Sequence, residues 1–136
     1  MKNRTASASW LRGPLRCDVD VEDGFVLEVD EPRAAGGTGN GPQPTDLFLA
    51  SVASCFTLAL AYSAGKLGIT VEQINVNVVG HYEGMRFGAL DIHTRVAIDR
   101  PDQLDRLISA AEQVCYVTNT LRTPPKVIAS ADALVR

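Results

Sequence analysis

Along this chain, stretches in which apolar residues alternate with polar ones are interrupted twice by stretches with helical spacing. Ala6 to Val21 mixes apolar and polar residues around Gly13-Pro14 and reads as one or two short strands. Asp23-Gly24 is a tight-turn dipeptide, and Phe25 to Val29 is a strand of β-branched and aromatic residues. Asp30 to Gln43 is a long glycine-rich loop. Pro44 then stands where a first-turn proline belongs, and Asp46 adds negative charge to that turn. A helix is predicted from about Pro44 to Lys66, closed by Gly68. Phe48, Val52, Cys55, Ala59 and Tyr62 share one face of it, but the other faces are also apolar, so it is expected to be a buried central helix.

Gln73 to Glu83 alternates, with Ile74, Val76 and Val78 on one side. Leu90 to Asp99 alternates again through Ile92, Thr94, Val96 and Ile98, and the Gly84 to Gly88 region joins the two as a hairpin with one wet face. Pro101-Asp102 opens a second helix, whose stripe runs through Leu104, Leu107, Ile108 and Ala111 to Val114 or Cys115. Thr123-Pro124-Pro125 breaks the chain, and Lys126 to Ala131 is predicted as a last strand. Strands joined by turns, with two helices between them, predict an α+β fold with an antiparallel sheet. At 136 residues the chain is expected to be one domain, 1–136, that needs neither disulfide nor metal to stay folded.

Composition narrows the function classes. The hydrophobic fraction is 46% and the charged fraction 21%, ordinary for a globular protein. Thirteen basic against sixteen acidic residues leave no surplus to neutralise a phosphate backbone, which argues against a nucleic-acid partner. The N-terminal sixteen residues lack the apolar core of a secretory signal. Leu47 to Gly65 is uncharged and as long as a membrane span, but its serines, Thr57 and Gly65, and flanks without a basic cluster, favour the core helix of a soluble protein.

Three cysteines are too irregular a set for a disulfide framework and suit a reducing, cytoplasmic compartment. Cys55 and Cys115 both point inward by periodicity. They read either as small core residues or as a redox pair, and the second reading requires that the two meet in space. Cys17 has polar neighbours and is taken as incidental. His81 and His93 lie in hairpin strands, where half-exposed histidines are usual. No short Cys/His spacing suggests a metal site. The Gly36-Gly37-Thr38-Gly39-Asn40-Gly41 loop fits neither a Walker A nor a dinucleotide pattern, because Gly41-Pro42-Gln43 stands where those motifs need Gly-Lys-Ser/Thr or a third glycine.

The combination is more specific than its parts. Asp23-Gly24, Asp30-Glu31-Pro32, the glycines, Pro42-Gln43-Pro44-Thr45-Asp46-Leu47 and Ala50-Ser51-Val52-Ala53-Ser54-Cys55 together resemble the OsmC/Ohr family, the osmotically inducible and organic hydroperoxide resistance proteins. Lys66-Leu67-Gly68-Ile69 and Val114-Cys115-Tyr116-Val117-Thr118-Asn119 agree with it. The resemblance implies an intertwined homodimer, with strands of both chains around central helices and two active sites at the interface. It implies peroxide reduction without metal, flavin or other cofactor. Cys55 would be the peroxidatic thiol and Cys115 the resolving one; an external dithiol, such as a lipoyl-bearing protein, would be the reductant.

A buried thiol needs a positive partner to ionise. By the resemblance this is an arginine of the N-terminal strands, here Arg16, with Arg12 as second candidate. The peroxidase members hold that arginine with a glutamate in the first turn of the helix, and the position is Thr45 here. Asp46 is adjacent but about 100° further round the helix and shorter. The departure points toward the OsmC-like branch and keeps an alternative in view: a non-enzymatic protein that binds a small apolar ligand at the dimer interface.

Overall fold

The computed structural model describes residues 3–135. The chain forms two compact units, Met1–Ser51 and Val52–Arg136, and the division falls within one continuous helix.

The first unit is an antiparallel sheet in the order β1 (Ala6–Ser9), β2 (Arg16–Val21), β3 (Phe25–Asp30). Asp23 and Gly24 carry the β2–β3 turn, both with positive φ, at 66° and 81°. Aspartate and glycine are among the residues that tolerate that region, which is why the dipeptide signals a turn. Cys17, Val19 and Val21 pair with Val29, Leu27 and Phe25 on one side of the sheet. Arg16 and Asp18 lie opposite Asp30 and Glu28 on the other.

The glycine-rich loop is tightly built. Leu15 N–H donates to the Gly36 carbonyl at 2.9 Å and Glu31 N–H to that of Leu15 at 3.1 Å. A Cβ on Gly37 would fall 1.9 Å from the Glu31 carbonyl oxygen, so only glycine fits there.

Helix α1 (Pro44–Leu67) starts as its sequence signals predict. Pro44 occupies the first turn, and the Asp46 carboxylate accepts from the Gln43 N–H at 3.0 Å, the reciprocal half of a capping box. It ends in a Schellman motif: Gly68 takes φ 66°, and Ile69 N–H donates to the Ala64 carbonyl at 2.9 Å.

The second unit contains a long hairpin of β4 (Val71–Glu83) and β5 (Arg86–Ile98). Its turn is only Gly84-Met85, shorter than the five-residue connection expected, because β5 begins at Arg86; Gly84 at φ 59° meets the positive-φ demand of a two-residue turn. The expected alternation holds along both strands, with Ile74, Val76, Val78 and Ile92, Thr94, Val96, Ile98 partly covered and their neighbours exposed. A 3₁₀ turn at Pro101–Gln103 leads into α2 (Leu104–Val114), and α3 (Tyr116–Arg122) follows after a break at Cys115. The core is built from Phe56, Ala59, Leu60 and Ala64 of α1, Ile69, Leu107 and Ala111 of α2, and Cys115, with Ile74, Val76, Ile92 and Val96 packed beneath.

Two expectations need correction. α1 is not buried all round. Its buried residues are Val52, Phe56, Ala59, Leu60, Ser63 and Ala64, while Leu58 and Tyr62 stay 68% and 57% exposed, and Phe48 is also exposed. The covered side is therefore rotated from the Phe48–Tyr62 face. A helix apolar all round carries no information about which side its own chain will cover. Lys126 to Ala131 forms no strand: the segment has no regular secondary structure, and Val127 and Ile128 are bare to solvent. Alternation makes a strand only where a neighbouring backbone accepts its hydrogen bonds, and none of the described strands does so.

Candidate functional site

Cys55 lies at the middle of α1, half-buried, on the wall of an open cavity of about 600 Å³. The cavity lies within the second unit. Leu58, Ala59 and Tyr62 come from α1; Gln113, Val114, Tyr116 and Asn119 come from either side of the α2–α3 break. The lining is apolar apart from amide and phenol groups and carries no formal charge. Lys66, one turn beyond Tyr62, holds its ammonium 5.5 Å from that ring's centroid.

Cys115 is the residue at which α2 stops and α3 starts. Its φ of −81° and ψ of 103° leave the helical region, and it serves as the N-cap residue of α3 without a closed side-chain capping bond. The break is stitched locally. Asn119 N–H donates to the Cys115 carbonyl at 3.0 Å, and the Asn119 side-chain amide donates to the Gln113 carbonyl at 3.1 Å, which would otherwise be an orphan of the last turn of α2. Cys115 is fully buried, with 0% of its surface exposed.

The structure brings these two cysteines together: each thiol acts on the other's ionisation. Burial pushes the Cys55 thiol up from its ordinary value, and the neighbouring Cys115 adds to the rise, against the backbone N–H groups of Val117 and Tyr116. Burial also raises Cys115, but the Thr118 hydroxyl, the Thr118 N–H, the Cys55 thiol and the Val117 N–H together outweigh it, so the net shift is downward. The more acidic sulfur is thus sealed in the core, while the less acidic one opens on the cavity. A molecule in the cavity meets Cys55 first. Thr118, itself buried, is the functional neighbour that sequence reasoning missed. Its spacing of three from Cys115 has meaning only once a helix is known to start at Tyr116.

The other candidates have definite places. Arg16 on β2 is ion-paired with Glu28 on β3, both half-exposed. Arg12 is exposed in the bend between β1 and β2. Thr45 is half-buried in the first turn of α1, and Asp46 is occupied with the Gln43 N–H. Cys17 is half-buried on β2. His81 bonds Asp91 at 2.7 Å on the wet face of the hairpin, which His93 shares, and neither histidine lines the Cys55 cavity.

Asp30 is a buried carboxylate, 2% exposed, at the end of β3. It accepts from the Thr38 N–H at 2.8 Å, the Thr38 hydroxyl and the Asn40 N–H at 3.1 Å. The Thr38 hydroxyl and N–H are the main reasons its pKa lies below 3.8, with burial opposing them and the Asn40 N–H and the charge of Arg16 assisting. The glycine-rich loop is therefore folded around a carboxylate, an arrangement that disfavours a bound anion there.

The relationships of the chain agree with this geometry. The OsmC-like protein family matches residues 37–130. The organic hydroperoxide resistance protein of Xanthomonas axonopodis pv. citri is 32% identical over 125 residues, 87% of each chain. A solved organic hydroperoxide resistance protein from Legionella pneumophila superposes with a TM-score of 0.69 at 25% identity, covering 90% of both chains. An OsmC-like protein of unknown function from Vibrio cholerae shares the fold with a TM-score of 0.76 at 18% identity, over 88% of this chain and 94% of that one. The match of the family model over most of the chain, together with these relatives, shows that the chain belongs to the OsmC-like family.

Proposed function

We propose that the chain is a cytoplasmic, homodimeric thiol peroxidase that reduces organic hydroperoxides, and hydrogen peroxide as the smaller substrate, through Cys55 and Cys115. The juxtaposition of buried Cys115 with Cys55, which alone of the two lines the cavity, is the observation that carries this reading. The relatives named organic hydroperoxide resistance proteins support it. The apolar side of α1 that its own chain leaves open, and the bare segment after Pro125, support the dimer; the family match over residues 37–130 supports treating 1–136 as one family domain.

The chemistry runs in three steps. The Cys55 thiolate attacks the peroxide O–O bond; the S–O bond forms, the alkoxide leaves and takes a proton, and Cys55 is oxidised to a sulfenic acid. The Cys115 sulfur then attacks the Cys55 sulfur, releasing water and forming a disulfide. An external dithiol, such as a lipoyl group, reduces that disulfide by exchange and is itself oxidised. Because burial raises Cys55, the first step needs a cation, and Arg16 is assigned that role, with Arg12 as the alternative. No metal or organic cofactor enters the scheme.

The uncharged, mostly apolar cavity favours a second reading, in which the dimer binds a small apolar molecule and both cysteines are packing residues. Hydroperoxide consumption by the purified protein with a dithiol separates the two. Under the peroxidase reading, Cys55→Ser abolishes turnover, and one equivalent of peroxide yields a Cys55–Cys115 disulfide by peptide mass. Equal turnover in the wild type and Cys55→Ser would sink the peroxidase and leave the binding protein.

A further inference from the structure

We propose that Asn119 is a positioning residue for the cysteine pair: its side-chain amide takes the place of the Val117 N–H on the Gln113 carbonyl and so leaves that N–H facing the sulfurs. The proposal rests on the redox reading of Cys55 and Cys115 given above. All the residues concerned belong to the second unit.

A helix running on through Cys115 would pair the N–H groups of Tyr116, Val117 and Thr118 with the carbonyls of Glu112, Gln113 and Val114. Cys115, at φ −81° and ψ 103°, breaks that ladder. The three N–H groups turn to sulfur instead: Tyr116 to Cys55, Thr118 to Cys115, and Val117 to both. N–H donors on a sulfur favour its thiolate. The break leaves carbonyls at the end of α2 without their ladder donors, which favours closing the ladder again. Asn119 opposes that closure. Its own N–H donates to the Cys115 carbonyl at 3.0 Å and fixes the first turn of α3, while its side-chain amide donates to the Gln113 carbonyl at 3.1 Å. The acceptor to which the Val117 N–H would return is therefore already satisfied.

Asn119 is exposed, so its side chain is not part of the packed core. A second tie spans the same break, from Arg122 to Glu112 at 4.0 Å, but it joins two exposed side chains and leaves the backbone carbonyls alone. The two ties can therefore be told apart. Without the Asn119 donor, closure of the ladder withdraws the Val117 N–H and carries Cys115 with it, and a sulfenic acid on Cys55 waits longer for its partner. That sulfenic acid has two fates. Attack by the Cys115 thiol forms the disulfide and releases water. Oxidation by a second hydroperoxide forms the sulfinic acid and releases the alcohol.

The test is the ratio of Cys55 sulfinic acid to Cys55–Cys115 disulfide, read by peptide mass after cumene hydroperoxide is added without reductant to the full chain in a Cys17→Ser background. Asn119→Leu keeps the shape and loses the donor, and the ratio should rise roughly fivefold, the worth of one net hydrogen bond. Asn119→Gln keeps the donor and should stay near the parent ratio. Arg122→Gln removes the other tie and should leave the ratio unchanged. A parent ratio in Asn119→Leu, or a rise of the same size in Asn119→Gln or Arg122→Gln, would overturn the role of Asn119. Peroxide that yields no Cys55–Cys115 disulfide in the parent would instead remove the redox pair beneath it.

Discussion

The two units of the chain are stabilised in different ways. The second unit has a packed core: Phe56, Leu60, Leu107 and Ala111 are covered by their own chain and rest on the inner face of the hairpin. The N-terminal sheet has almost none. Of its strand residues only Val29 and Asp30 are buried, and Phe25, Val26 and Leu27 are exposed. What gives that unit its shape is a web of directional bonds, from Leu15 to Gly36, from Glu31 to Leu15, and from Thr38 and Asn40 to Asp30. The cysteine pair is set in the part with close-packed walls, where a displacement of one side chain is resisted by many neighbours. The proposed cation is set in the part whose geometry depends on hydrogen bonds and charge. The reactivity of the thiols and their activation should therefore fail under different perturbations.

The largest effect should come from the core. Leu107→Ala, at a fully buried position, should lower unfolding free energy by about 3–5 kcal/mol, measured by denaturant titration. Leu27→Ala, at a position 41% exposed on β3, should cost about 1 kcal/mol or less. Equal costs would break the contrast, because they would mean that surfaces outside this chain cover the N-terminal sheet in solution.

Acid should separate the units next. The folded pKa of Asp30 lies below 3.8, so its contribution is fully present above that value and is lost as pH falls through the folded pKa. Asp30→Asn keeps the shape but places an amide where two N–H groups and a hydroxyl already donate. The variant should be less stable than the wild type at neutral pH, and the gap should close below pH 3.8. The amide signals of Thr38 and Asn40 should move with the same transition while those of the hairpin stay. A stability gap that persists unchanged into acid would show that the loop is held by packing and not by the carboxylate.

What was legible in the sequence follows the same division. The hairpin was readable because period-two alternation reports a sheet with one covered face, and Ile74 to Val78 and Ile92 to Ile98 keep it without interruption. The ends of α1 were readable because Pro44, Asp46 and Gly68 act within a single turn. Its covered side was not, since an all-apolar helix offers equivalent faces to any neighbour. The α2–α3 break was hidden because neither glycine nor proline marks it; it depends on Asn119 reaching back to Gln113. The Arg16–Glu28 pair was hidden for a different reason: residues twelve apart meet only through a strand register that no local pattern displays. The cysteines were named by residue type and family resemblance, but their meeting is a tertiary fact.

The smallest predicted effect bears on that meeting. Thr118 has one hydroxyl proton and two acceptors within reach: the Cys115 carbonyl, at 3.4 Å, and the Cys115 sulfur. If the proton favours the sulfur, Thr118→Val removes a thiolate-stabilising group while keeping the volume and the Thr118 N–H. The lower of the two macroscopic thiol pKa values should then rise by roughly half a unit, followed by thiolate ultraviolet absorbance in a Cys17→Ser background. Thr118→Ser, which keeps the hydroxyl, should leave it in place. An unmoved titration in Thr118→Val would assign the proton to the carbonyl. The Thr118 hydroxyl would then serve the helix break, and the acidity of Cys115 would come from the Thr118 and Val117 backbone N–H groups and the Cys55 thiol. Either way the charge of the reduced pair is set inside the packed unit, so it should be indifferent to Asp30→Asn.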